Sequence, residues 1–276
     1  MEPQSLYKLI HPVKYYRDHL NQLMRPDGRK FLEYRPISVN VNSIETADGS
    51  AIVKYGETTV VCGVKAELAA PTSKEPDYGY IVPNVELTPL CSSKYRPGPP
   101  TDEAQVLSKN LMDILINSQC IDRKELCIER EKLVWTLYCD ISCFNYDGSV
   151  LDAATLAVMG ALMTCNLPEV TFDKNLKNYR VDDSKKTRLN VKSLPISTSF
   201  MIFDDNTVLS DPTAEEEELS SGLVSVVSCN SEICFISKAG MSSVETKHFD
   251  LFVEQAKNQE KKVVSLLKSV FCIASQ

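Results

Sequence analysis

The sequence of 276 residues predicts an α+β fold made of two related subdomains. Three observations predict it. Apolar and polar residues alternate at period two in both halves of the chain. Each set of strands is followed by a helix-period apolar pattern. Between the sets lies a stretch bounded by Pro168 and Pro195 and carrying seven basic residues from Lys174 to Lys192. Strands then a helix, occurring twice, is an α+β arrangement. The expected division is an N-terminal helical extension (1–30), a first subdomain (31–167), a connecting segment (168–194) and a second subdomain (195–276).

Within residues 1–24 a short helix is expected, with Tyr15, Tyr16 and Leu20 on its apolar face and Pro26 beyond its end. The turn residues Arg25 to Arg29, RPDGR, follow. ISVNVNSI, AIVKY and TTVVCGVKAEL read as strands. The last two are joined by the short turn at Gly56–Glu57, a hairpin signal. IVPNVELTPL is expected as an edge or bent strand, because proline cannot donate to a sheet ladder. Thr101 is positioned to cap a helix whose first turn carries Asp102 and Glu103. Ala104, Leu107, Leu111, Ile114, Leu115 and Ser118 mark one face over about 16 residues, roughly 24 Å. In KLVWTLYCDISCF, parity puts Trp135, Leu137, Cys139, Ile141 and Cys143 on one side. After the turn at Tyr146–Asp147–Gly148, LDAATLAVMGALMTC is apolar nearly all round, as a central helix must be. The connecting segment is read as holding one strand. In the second half SFMIF and TVLSD form one hairpin, around Asp204–Asp205–Asn206. GLVSVVSC and EICFISK form another. A long helix from about Ser242 to Phe271 carries Phe249, Phe252, Ala256, Val263, Leu267 and Val270 as its stripe.

Composition narrows the function classes. Thirty Lys and Arg stand against 37 Asp and Glu, a net charge of −7. That argues against a general nucleic-acid coat, which carries a basic excess; a local basic strip can still bind RNA. Ten scattered cysteines, a polar N-terminal segment without a signal-peptide core and the lack of a CxxC pair point to a reduced, intracellular chain. With only three histidines, no metal site and no cofactor are expected.

Several residues are candidates for chemistry. Asp204 and Asp205 could pair as acid and base, although a polar hairpin turn is the simpler reading. Glu215 to Glu218 could attract a cation, although a solvated loop or helix start explains such a run. His248 reads as a solvated surface residue. In SSKYRPGPP, Lys94 and Arg96 can hold phosphate and Tyr95 can stack a base. The segment YDGSVLDAATLA matters most. A glycine turn feeding a helix is a natural phosphate cradle, because free N–H groups and the helix dipole favour an anion. Here the turn supplies Ser149, Val150 and Leu151, with no cation. Asp152 would suit the dipole and repel a phosphate.

RPDGR, ADGSAIVKYGETTVVCGVKAE, PLCSSKYRPGPPTDEAQ, KLVWTLYCDISCFNYDGSVLDAATLAVMGAL and DPTAEEEEL, in this order, resemble the RNase PH family, and within it the ring subunits of the eukaryotic RNA exosome. The resemblance runs from about Tyr15 to the C-terminal helix. It implies the RNase PH fold (ribosomal protein S5 domain 2-like) and a place in a six-membered ring with a central pore. It also implies five other RNase PH-like neighbours, three cap subunits bearing S1 or KH domains, and a docked hydrolytic exoribonuclease. Interfaces of at least about 1,600 Å² per contact would follow. Active members cleave RNA from the 3′ end with inorganic phosphate, using a turn that reads roughly Asp-Gly-Gly-Thr-Arg. Here Asp147, Gly148, Ser149, Val150 and Leu151 match it, so the Thr and Arg positions are apolar. An Asp that active members place two residues before a proline is matched by Ser193, before Pro195; Asp182 and Asp183 lie upstream.

The resemblance with these departures implies a non-catalytic ring subunit. It would support rRNA maturation and mRNA turnover in the nucleus, nucleolus and cytoplasm by threading RNA past Lys94 and Arg96, with no membrane involved. Two alternatives stay open. One is an active phosphate-dependent 3′→5′ exoribonuclease using unfamiliar residues. The other is a stand-alone adaptor for one protein partner.

Overall fold

A computed structural model describes residues 3–173, 178–204 and 207–274 of the chain. The N-terminal segment forms two helices, α1 (Pro3–Ile10) and α2 (Pro12–Leu20), where one was expected. The break falls at His11, whose backbone leaves the helical region, and at Pro12, which has no N–H to continue the ladder. The first subdomain follows with β1 (Ile37–Val41), β2 (Gly49–Tyr55), β3 (Thr58–Ala69), β4 (Tyr80–Leu87), α3 (Asp102–Asn117), β5 (Cys127–Glu129), β6 (Leu133–Asn145) and α4 (Val150–Thr164). Its sheet runs β1-β2-β3-β6-β4, with β5 also pairing β6. All pairs are antiparallel except β4 with β6. Proline-bearing β4 lies at the edge, where the missing N–H of Pro83 breaks no ladder. Thr101 caps α3, its Oγ1 accepting from the Ala104 N–H at 3.3 Å.

The connecting segment holds two strands rather than one: β7 (Asn166–Asp173) and β8 (Asn178–Arg188) form an antiparallel ribbon. Lys174 and Lys177, from the basic run, lie outside the described residues. The second subdomain is β9 (Ile196–Phe203), β10 (Thr207–Ser210), α5 (Ala214–Leu219), β11 (Gly222–Cys229), β12 (Glu232–Gly240) and α6 (Thr246–Ala274), with sheet order β10-β9-β11-β12. Asp205 and Asn206 of the expected hairpin turn lie outside the described residues.

Two helices join the sheets. α4 packs on β2 and β3 and reaches β9, while α6 packs on β9 and β11 and touches β1. Every residue of α4 except Met163 is buried. A Cβ on Gly160 would come 2.9 Å from the Ala51 Cβ, so glycine lets α4 lie this close to the sheet. β9 is buried at all eight positions because both its faces are covered. Phe200 and Ile202 pack with Phe252 and Ala256 of α6, whereas Met201 and Phe203 pack with Tyr16 and Leu20 of α2. The N-terminal extension therefore completes the second subdomain. On α6 the stripe is narrower than expected: Phe249 is exposed, Val270 is half-buried and Glu260 is buried, accepting from the Ser231 N–H. His248 is half-buried rather than solvated. Nine cysteines are free thiols, and the Cys272 side chain lies outside the described set.

The RPDGR turn and Arg35 clamp the loop between β10 and α5. Asp211, fully buried, accepts from Arg29 Nη1 at 3.1 Å, from Arg35 Nε at 2.9 Å and Nη2 at 2.6 Å, and from the Arg35 N–H at 2.9 Å. Arg25, 1% exposed, donates Nη1 to the Ser210 carbonyl at 2.8 Å and Nε to Glu216 at 3.0 Å, and its Nη2 also pairs with Glu216. Burying two charges is unfavourable unless each finds its partner, and here each does. Arg25→Met strands the Glu216 carboxylate and is expected to destabilise the full chain by about 3–5 kcal/mol in urea unfolding. The double variant Arg25→Met, Glu216→Leu is expected to recover most of that loss. Equal losses in the single and double variants would contradict the pairing.

Candidate functional site

The turn before α4 is built by left-handed backbone. Gly148 has φ +74° and Ser149 has φ +52°. A Cβ on Gly148 would sit 2.3 Å from the Pro212 carbonyl oxygen, so only glycine fits against the clamped loop. The structure brings Ser149, Val150 and Leu151 together at the amino end of α4, as expected, but it does not leave them open. Ser149 is 2% exposed, Val150 5% and Leu151 6%. The two apolar side chains belong to the main core. Ser149 turns its hydroxyl to the Pro212 carbonyl at 3.1 Å. Asp147, which starts the turn, is held by Arg35 through Oδ2 at 2.9 Å.

Two expectations about charge are corrected here. Asp152 does not face the cradle. It is buried and points to β9, accepting from the Ser197 hydroxyl at 2.6 Å, the Ser199 N–H at 2.8 Å and the Ser199 hydroxyl at 2.8 Å. Burial pushes its carboxyl up to about 6 despite those bonds. The run from Glu215 to Glu218 starts a helix, as expected, but only Glu215 and Glu218 are exposed, while Glu216 is buried and Glu217 half-buried. Glu215 takes Lys8 and the Tyr16 hydroxyl, and Glu216 takes Arg25. Glu217 reaches the start of α4, where it accepts the Ser149 N–H at 2.7 Å and the Tyr146 hydroxyl at 2.9 Å. Burial pushes the Glu217 carboxyl up to about 7. The sequence places Glu217 only in the acidic run, not at the start of α4. The Thr213-x-x-Glu216 spacing of a capping box places the helix start, but nothing local says where the next carboxylate points.

The basic loop is likewise more structured than expected. Tyr95 is 5% exposed and meets Tyr146 edge to face, so its ring is not free to stack a base. Glu103 of α3 gathers the loop, accepting Lys94 Nζ at 3.1 Å, the Tyr95 hydroxyl at 3.1 Å and the Tyr146 hydroxyl at 3.2 Å. Lys94 is half-exposed and Arg96 exposed, so both cations remain at the surface. Asp204 pairs with Arg17 at 2.7 Å, which supports the hairpin-turn reading; Asp205 is outside the described residues. Ser193 is buried, its hydroxyl donating to the Ser118 carbonyl at 2.9 Å. Asp182 sits on the β7–β8 ribbon and accepts the Ser184 N–H at 3.1 Å, and the Asp183 side chain lies outside the described set. Among the described residues no group of three or more His, Cys, Asp or Glu is arranged to hold a metal.

Known proteins share this architecture. The chain matches the 3′ exoribonuclease family, domain 1, over residues 33–168 and domain 2 over residues 193–259. It is 42% identical over 256 residues to exosome complex component rrp43 of Schizosaccharomyces pombe, covering 92% of this chain and 94% of that protein. It is 36% identical over 214 residues to exosome complex component Rrp42 of Thermococcus kodakarensis, covering 76% and 78%. A solved exosome of Archaeoglobus fulgidus with RNA bound to the active site contains a chain that superposes with a TM-score of 0.83 at 31% identity, covering 92% of this chain and 96% of that one. The two matched domains, the relatives that span nearly the whole chain and the paired sheet-and-helix subdomains place this chain in the RNase PH-type 3′ exoribonuclease family.

Proposed function

We propose that this chain is a non-catalytic structural subunit of the six-membered RNase PH-like ring of the RNA exosome core. It supports 3′→5′ processing and degradation of RNA, including rRNA maturation and mRNA turnover, by threading RNA to a separate hydrolytic exoribonuclease. Its neighbours are other RNase PH-like subunits and S1/KH cap subunits, and it works in the nucleus, nucleolus and cytoplasm. One observation carries the silent role. The amino end of α4, where phosphorolytic relatives are expected to grip inorganic phosphate, is closed by the buried side chains of Val150 and Leu151 and by the Glu217 carboxyl. Losing one transition-state donor costs about 10²–10³ in rate. Here a hydroxyl and a guanidinium are both replaced by hydrocarbon. Assembly is supported by the match to exosome components over nearly the full length. Lys94 and Arg96 are the cations offered to the RNA backbone.

The purified full chain, given RNA and orthophosphate, is expected to release no nucleoside diphosphate. Release that a mutation in this chain abolishes would contradict the reading. In a reconstituted ring, Lys94→Ala with Arg96→Ala is expected to weaken RNA protection and to lower the salt slope of single-strand binding by about 0.7 per lost phosphate contact. Native mass measurement should show the ring intact. Unchanged protection and slope would remove these residues from the RNA path.

A further inference from the structure

We infer that Glu217 is a built-in ligand of the anion seat at the amino end of α4, so that the seat is filled from within and closed to inorganic phosphate. The inference rests on the silent-subunit reading and supplies its physical cause. The start of a helix favours negative charge because its first N–H groups lack partners and the dipole is positive there. In this chain that charge comes from the other subdomain. Glu217 Oε1 takes the Ser149 N–H at 2.7 Å, and its second oxygen takes the Tyr146 hydroxyl at 2.9 Å. These are hydrogen bonds of the kind a bound phosphate oxygen would accept.

The surroundings keep the side chain in place and keep a second anion out. Glu217 follows Glu216 on α5, and Glu216 is locked by buried Arg25. The Pro212 carbonyl beside it accepts the Ser149 hydroxyl. Opposite, Tyr146 also faces Glu103 at 3.2 Å. Tyr146 has one hydroxyl proton to give, so the two carboxyl groups compete for it, and Glu217 has the shorter contact. Nearby cations are already engaged: Lys94 with Glu103, and Arg35 with Asp147 and Asp211. A phosphate dianion arriving here would meet the carboxyl groups of Glu103 and Glu217, while the two cations just named are already paired. The same contact docks α5 onto the start of α4, so the filled seat also joins the two subdomains.

The Ser149 amide reports the seat directly in ¹⁵N–¹H spectra of the full chain titrated with orthophosphate. In the unaltered chain its resonance is expected to stay put. In Glu217→Ala it is expected to shift saturably, as phosphate takes the vacated N–H. A shift in the unaltered chain, or none in a folded Glu217→Ala, overturns the inference. Should Glu217→Ala fail to fold, Glu217→Gln decides. Its neutral oxygen should move the Ser149 amide proton upfield while the resonance stays unresponsive to phosphate. An unmoved amide would show that Glu217 is not its partner. The two readings fail separately. An unresponsive Glu217→Ala with an inactive native chain sinks only the filled seat. Phosphorolysis by the native chain sinks the silent-subunit reading whatever Ser149 does.

Discussion

The structure depends on one buried carboxylate, Asp211. It is fully buried, sits in left-handed backbone at φ +49°, and accepts hydrogen bonds from Arg29 and Arg35. A charge in that position is tolerable only because its partners are fixed. Arg35 fixes more than Asp211, because it also holds Asp147 at the turn before α4. A single guanidinium therefore sets the spacing between the second subdomain's loop and the first subdomain's central helix. Arg25 performs the parallel task one turn later, at Glu216. Remove this clamp and no local preference would bring α5 against α4.

From the clamp the rest of the site follows by contact. With α5 seated, Glu217 meets Ser149 and Tyr146; Tyr146 meets Glu103; Glu103 holds Lys94 and Tyr95. One hydrogen-bonded chain thus runs from the closed cradle to the basic loop. A surface lysine that would otherwise be free is half-anchored, while Arg96 beside it stays exposed. The family's architecture is kept in the turn geometry and the helix. At the start of that helix the structure places the buried hydrocarbon of Val150 and Leu151 and the carboxyl of Glu217, which is the basis of the proposed silent role.

Much of the fold was legible because its determinants are local. Thr101 and the acidic first turn announced α3, and the parity of β6 announced its buried face. Pro83 of β4 predicted an edge strand. The candidate cradle was found from Gly148 and the apolar run after it. What was not legible depends on residues distant in sequence. Glu217 and Ser149 are 68 positions apart, and Asp152 and Ser199 are 47 apart. Within the run of four glutamates, Glu216 looks solvated until buried Arg25 is placed beside it. Tyr95 looks available until Tyr146 and Glu103 close over it. The β7–β8 ribbon was under-read because its polar, exposed residues carry little alternation.

The central claim is that the arginine clamp delivers Glu217 to the amino end of α4. A high-resolution structure of the assembled ring determined in phosphate buffer tests it most directly. The account predicts a Glu217 carboxyl within hydrogen-bonding distance of the Ser149 nitrogen and no tetrahedral density beside it. A phosphate ion on the Ser149 N–H, with Glu217 turned away, would contradict it.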